Sequence, residues 1–387
     1  MADTPTPLPR RLWDALASLE LTLISLALLM ALVLLCTLAQ TRMGIFGAVQ
    51  TYMRSFIVWW QVPALPFRLP VFPGGVLVGL MLLFNLTAAL IKRFDFTWSK
   101  VGLWIVHAGL ILLIAGEFSS GAFQVETNMN IEVGQTVNFT ESSRDIELTI
   151  THTKDPSHDQ IYSIPASLLR RSESIAVPGT PITLRVKRYF ENATLAMREQ
   201  TDPPSLATAG VGADVKVVAQ PAVVSDSEMN QTSVFLEPVL KGQSFGTWLV
   251  SPGLAAPQTF VDEGQTYAMA MQHRRYYLPY SVTLKEFRHD VYAGTDIPKN
   301  FSSLVHISHP AKSEERDVLI YMNQPLRYEG RTFYQASYGK EGKLSILQVV
   351  QNPGWTLPYI SCGIITLGLL LHFGLTLRRS LQQRRAA

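Results

Sequence analysis

Four long runs without Asp, Glu, Lys or Arg dominate this sequence and fix the solvent that much of it must occupy. They cover residues 21–39, 70–91, 101–116 and 355–377. Crossing roughly 30 Å of hydrocarbon at 1.5 Å per residue takes about 20 residues, with about 17 tolerated. The third run reaches that length if its end near Glu117 and Phe118 lies at the interface. The first run is long for a secretory signal core and lacks a convincing small-x-small cleavage site before Arg42, so it reads as a retained helix. The chain is therefore predicted to be an integral membrane α-plus-β protein with four transmembrane helices, at about 19–39, 70–91, 101–118 and 355–377.

Only 16% of the 387 residues are charged, against roughly 25% in an ordinary soluble domain; the spans account for that deficit. The net charge of +3 and the absence of a concentrated basic face exclude nucleic-acid binding. Cys36 and Cys362 are far apart, and both sit in apolar runs. That excludes a disulfide scaffold, a zinc cluster and a Cys-x-x-Cys redox centre.

The basic residues set the expected orientation. Arg10, Arg11, Lys92, Arg93, Lys100, Arg378, Arg379, Arg384 and Arg385 fall on one side of a four-span layout, whereas the opposite short loop holds only Arg42, Arg54 and Arg68. Both termini are thus expected in the cytoplasm, and residues 119–354 outside. Trp59, Trp60 and Trp355 are expected near the outer interface. Three parts follow: a membrane part at 1–118, an exterior domain at 119–354, and a last helix with a basic tail at 355–387.

The exterior segment reads as β structure. Residues 146–151, 182–186, 281–284, 318–321 and 344–350 are short, rich in β-branched side chains and bounded by turn formers, the pattern of a sandwich-like antiparallel domain. Residues 165–181 and 201–213 read as surface loops. The segment has no Gly-x-Ser-x-Gly, no phosphate-binding glycine loop and no His-Glu-x-x-His. His306 and His309 are three apart on an expected strand, so they point to opposite faces and make no metal pair. His152 and His158 lie among polar residues and read as solvated. A docking or scaffold role fits this domain better than catalysis.

The chemical signal lies in the membrane. His107 is seven residues beyond Lys100 and His372 six before Arg378, which places each about 9–10 Å along its helix. Ionisable groups in spanning helices face a partner, a cavity or a cofactor. Two imidazoles at one depth can meet one object, such as a haem whose iron takes a neutral ring nitrogen. The alternative is a hydrogen bond across helices. Gly102, Gly109 and Gly116 recur every seven residues and form a strip for close helix packing; His107 is turned about 140° from it at 100° per residue. Asn85 reads as a helix–helix hydrogen-bonding residue.

Three stretches of the exterior segment carry a family resemblance: Leu278-Pro-Tyr-Ser-Val-Thr-Leu-Lys-Glu-Phe287, Gly294-Thr-Asp-Ile-Pro-Lys-Asn-Phe-Ser-Ser303, and Asn323-Gln-Pro-Leu-Arg-Tyr-Glu-Gly-Arg-Thr-Phe-Tyr-Gln-Ala-Ser-Tyr338. Together with Gln40–Phe46 and the order of three helices, exterior β domain and final helix, they resemble the ResB (CcsB-type) family of system II cytochrome c biogenesis proteins. The resemblance implies a haem-handling subunit of a bacterial inner-membrane cytochrome c haem lyase complex. Its partners would be a ResC/CcsA-type membrane protein and an apocytochrome c with a Cys-x-x-Cys-His motif. His107, in Trp104-Ile-Val-His-Ala-Gly-Leu110, matches the proposed haem-ligand position of the family's third helix, and His372 is carried over as a second candidate axial ligand. The partner's tryptophan-rich haem signature is absent, since Trp59-Trp60 lacks its glycine and aspartate companions. Two other classes stay open at this point: a membrane b-type cytochrome moving electrons, and a cofactor-free membrane scaffold.

Overall fold

The computed structural model describes residues 8–61, 67–93, 95, 97–155, 158–223, 229–294, 298–339 and 342–386. Its α-helices are α1 (Leu8–Leu16), α2 (Leu19–Ala48), α3 (Gly75–Lys92), α4 (Val101–Phe123), α5 (Ala166–Arg171) and α6 (Leu357–Ala386). The chain forms two compact units, one made of residues 1–125 and 351–387, the other spanning 126–350.

The first unit holds four helices long and apolar enough to cross a membrane: Leu19–Met53, Gly75–Lys92, Val101–Phe123 and Leu357–Arg385. Most of their large side chains face outward, including Leu23, Met30, Leu34, Phe84 and Leu370, as expected where the surrounding solvent is lipid. The helices begin or end away from the limits of the apolar runs. Ser18 caps α2 by accepting the Leu21 amide at 3.2 Å. The helix then continues past Ala39, breaks at Gly44 (φ 71°) and ends in a π-helical turn at Val49–Met53. Residues 70–73, expected as the start of the second span, instead belong to the strand Arg68–Pro73, which pairs antiparallel with Ile57–Gln61. Pro70 and Pro73 explain the difference, because proline removes a helix donor and clashes with the preceding turn. α4 runs five residues beyond 118, and the basic tail continues α6 as helix rather than leaving it at 377.

Packing inside this unit follows the small and polar residues. All three strip glycines of α4 are buried. A Cβ on Gly102 would lie 2.4 Å from the His372 amide nitrogen and 2.6 Å from the Gly368 carbonyl oxygen; one on Gly109 would lie 2.7 Å from Ile365 Cγ1. The strip is thus the seam with α6. Asn85, fully buried in α3, accepts from Thr22 Oγ1 at 2.5 Å and donates to the Leu16 and Ser18 carbonyls at 2.7 and 2.9 Å. It ties α3 to the turn joining α1 and α2, which is the helix–helix role read from its sequence. Replacing Asn85 with leucine strands those groups in an apolar setting and should cost about 1–2 kcal/mol. The check is the thermal unfolding midpoint in detergent; an unchanged midpoint would contradict this role.

The second unit has two large cores and a smaller cluster of Ala207, Phe235 and Leu249. A five-stranded sheet (Ser174–Ala176, Ile182–Phe190, Ser233–Leu240, Gln243–Ser244, Trp248–Val250) faces one half of a ten-stranded sheet. Between them lie Leu184, Leu236 and Val250 from the first and Leu148, Ile150 and Met269 from the second. This part is the expected sandwich. The other half of the large sheet runs in the order Glu314–Tyr321, Pro298–His309, Gln265–Val291, Thr136–Asp155, Val125–Glu132, Leu344–Gln351, Arg331–Gly339, Leu326–Tyr328. It curls until its ends meet, where the Tyr328 hydroxyl donates to Glu314 at 2.7 Å. It encloses Met129, Ile131, Leu284, Val305, Phe333 and Leu347.

Two expectations fail in this unit. Residues 165–181 are not merely a surface loop, because α5 and the strand Ser174–Ala176 deliver Leu169, Ile175 and Val177 to the core. His152 is not solvated. The strand Thr136–Asp155 extends through it, and alternation turns its ring inward, where it is buried and stacked on Tyr267 with centroids 4.5 Å apart. His158 is also in a strand, paired with Asp155, and the burial of its side chain lies outside the described residues.

Candidate functional site

His107 lies on the second turn of α4, half-buried. Its Nδ1 is 2.8 Å from the Leu103 carbonyl oxygen one turn earlier. A carbonyl oxygen only accepts, so Nδ1 carries the proton; in the neutral ring the lone pair then rests on Nε2. A backbone carbonyl that fixes the tautomer in this way is the usual second partner of a metal-ligating histidine. Both the bond and the tautomer were invisible in the sequence, because a χ angle decides them. The i−4 carbonyl is, however, available to any helical histidine.

The seam fixes where the two intramembrane histidines stand. His372 contributes its backbone to the contact with Gly102, so its Cα sits at the level of Gly102, five residues and about 7.5 Å along α4 from His107. His107 also lies on the face turned away from that seam, in line with Phe118, eleven residues later and about 20° away around the helix. Phe118 packs on Gly79 of α3, where a Cβ would meet its ring at 3.0 Å. The equal depths read from charge spacing therefore do not set the imidazoles side by side. His372 Nδ1 is buried without a hydrogen-bond partner.

At the other end of the helix pair, Asn352 Nδ2 donates to Ser120 Oγ and Gln124 Oε1, both at 3.1 Å, while Asn352 Oδ1 accepts the Gly354 amide at 2.9 Å. α4 is therefore pinned to α6 at both ends, by glycine contact near Gly102 and by amide hydrogen bonds near Asn352. His107 sits between these fixed points on a helix that cannot easily rotate.

In the second unit the three motif stretches converge; residues 295–297 of the middle one lie outside the described residues. Phe287, Phe301 and Tyr338, one from each stretch, form a ring cluster with His289. Centroids are 5.0 Å apart for Phe301–Tyr338, 5.9 Å for Phe287–Tyr338 and 4.9 Å for His289–Phe301. Ser303 donates to Gln335 at 2.6 Å, joining the second stretch to the third. These contacts are intramolecular packing, the reason such stretches are constrained together.

His306 and His309 point to opposite faces, as strand geometry requires: His309 is buried, while His306 is on the outer face with Nδ1 2.7 Å from Asp317 and Nε2 2.6 Å from Glu315. The Asp317 bond, then the Glu315 bond, raise the His306 pKa above its ordinary value, and nearby Lys285 opposes them. A raised histidine pKa means that its stabilising contribution is complete below about 6.5 and is lost as pH rises through the folded-state value. An NMR titration of the His306 ring should give a midpoint above 6.5; a midpoint at or below that value would contradict the paired geometry.

Residues 239–346, which include all three stretches, match the model of the ResB-like family. Protein NrfI of Wolinella succinogenes is 36% identical over 93 residues, 24% of this chain but only 10% of that protein. The solved structure of the cytochrome c haem lyase CcmF aligns over 90% of this chain and 34% of its own, at 11% identity and a TM-score of 0.22, a likeness too low to bear on the fold. Residues 239–346 are thus similar to the ResB-like family, and the chain spans about a tenth of the length of Protein NrfI.

Proposed function

We propose that this chain is a haem-handling membrane subunit in cytochrome c biogenesis of the system II type, which holds haem for covalent attachment to apocytochrome c together with a ResC/CcsA-type partner. The observation that carries this reading is the Nδ1–H to Leu103 bond of His107, which leaves Nε2 as a free lone pair inside an apolar span. Among the described residues no three His, Cys, Asp or Glu gather to hold a bare ion. A metal held here must bring most of its own ligands, as a porphyrin does with four nitrogens.

His107 binds and orients the cargo through Nε2, and the helix pair behind it resists rotation of that ring. The iron itself supplies the redox chemistry when present. His372, offset by about 7.5 Å along α4 and on the opposite side of it, would be a poor second ligand to an iron held by His107, and a further ligand would come from the partner. The β unit, which shows buried motif residues rather than a reactive cluster, is the docking element. In the orientation set by the basic residues, both termini are cytoplasmic and the β unit works outside.

The test is haem content. Purified with its partner, wild-type protein and His372→Ala should both carry haem, whereas His107→Ala should lose at least about 90% of it. Equal haem in all three would overturn the ligand assignment. No haem in any of them would favour a cofactor-free scaffold.

A further inference from the structure

The antiparallel pair Ile57–Gln61 and Arg68–Pro73 joins two spanning helices; Val58 and Phe72 pack with Leu32 and Val78 of those helices, and its remaining side chains are largely exposed among the described residues. Val58 is buried, but Phe56, Trp59, Trp60, Phe67 and Val71 are all more than half exposed. Trp59 and Trp60 are consecutive in one strand and so project from opposite faces of the ribbon. A two-stranded sheet that turns one face to a core and one to water alternates apolar and polar residues; this one is apolar on both. Nor is a lone two-stranded ribbon stable in water without packing.

The root of the ribbon is rigid. A Cβ on Gly74 would fall 2.1 Å from the Ser55 carbonyl oxygen and one on Gly75 2.5 Å from the Met53 carbonyl oxygen, while the Gly74 amide donates to Phe56 at 2.8 Å. The strands thus leave directly from the end of the first span and enter the start of the next, at the end of the unit opposite Asn85 and its Leu16 and Ser18 partners. So tethered, they cannot move far from the membrane surface. They carry no acidic residue, and Arg68 is their single full charge. Full immersion in hydrocarbon is disfavoured because neither strand has a second neighbouring strand among the described residues. Pro70 and Pro73 lack amide donors, which weakens addition of a partner's strand.

We infer that this ribbon is a lipid-interface anchor, seated with both faces among the glycerol and upper acyl groups of the leaflet at that end of the helices. The two indoles and Phe56 and Phe67 supply apolar contact at the depth where aromatic belts form, and Arg68 reaches the phosphates. The anchor fixes the height of the first two spans in the bilayer. It stands on exposure and geometry alone, independent of the haem reading.

The test uses the full-length chain in nanodiscs of lipid brominated either near the carbonyl end or near the methyl end of the acyl chains. Fluorescence of the wild type minus that of Trp59→Phe/Trp60→Phe isolates the two indoles from the other five tryptophans. Carbonyl-end bromine should quench this difference signal by about half or more, methyl-end bromine less, and aqueous iodide little. If the double variant does not elute with the wild type, the single variants Trp59→Phe and Trp60→Phe are read in the same way. Quenching by iodide alone would put the ribbon in water, and quenching by neither agent would show protein covering it. Strongest quenching from the methyl end would put it in the hydrocarbon. Each of these three outcomes overturns the inference.

Discussion

If His107 holds haem as proposed, its replacement by alanine should lower the yield of holocytochrome c at least about tenfold when chain, partner and apocytochrome are expressed together. Removing even the outer-shell partner of a metal-bound histidine costs about 10–100-fold, so loss of the ligand itself sets tenfold as a floor. The fold should tolerate the change, because the ring lies away from the α6 seam and its hydrogen bond to Leu103 stays within its own helix. Imidazole added to the growth medium should restore part of the yield to His107→Ala but none to a variant with a disrupted helix pair. A small ligand can fill a vacated coordination position but cannot rebuild a packing interface. Full yield from the alanine variant without imidazole would mean that the histidine only stabilises its helix.

Gly102→Leu should do a different kind of damage. Its Cβ alone would overlap the His372 amide nitrogen at 2.4 Å and the Gly368 carbonyl at 2.6 Å. Both are backbone atoms, so no rotamer relieves the clash and α4 must move off α6. In lipid no hydrophobic force pulls the helices back, since close approach of small residues is itself the attraction. Overpacking of this kind costs about 1–3 kcal/mol, and the unfolding midpoint in detergent should fall by several degrees. Gly363→Leu is the matched control: nothing lies within 4 Å of its would-be Cβ, and its midpoint should hold. Equal behaviour of the two variants would contradict the seam.

The four spans were legible because a stretch of chain as long as a bilayer is wide rarely lacks charge unless lipid surrounds it. Their ends were not, because a helix does not stop where lipid stops. α2 carries Arg42 within it, α4 passes Glu117, and α6 continues through Arg384. Hydropathy also missed the strand at Arg68–Pro73, since proline there is apolar enough to join the run while opposing the helix. α1 went unread although its signal was present: Leu8, Leu12, Trp13 and Leu16 fall on one face and Arg10, Arg11 and Asp14 on the other. The glycine strip was legible as a seam, and Asn85 as a tie, because close approach and intramembrane polarity leave few roles for those residues.

His152 was misread from its polar neighbours, when strand alternation was the signal that would have buried it. His107 stood out by its place in an apolar run, but its tautomer and its offset from His372 depend on a rotamer and on the register between α4 and α6. Spacing from the nearest basic residue measures depth only if both helices meet the interface alike. The contact of α4 with α6 sets His372 level with Gly102, about 7.5 Å along α4 from the level of His107.

The most direct measurement is electron–nuclear double resonance on ferric haem bound to the wild-type chain and its partner, with only this chain carrying ¹⁵N-histidine. If His107 is the ligand, the iron should show hyperfine coupling to one axial ¹⁵N in the wild type and in His372→Ala, and none in His107→Ala. Coupling that survives in His107→Ala, or is absent from the wild type, would contradict it.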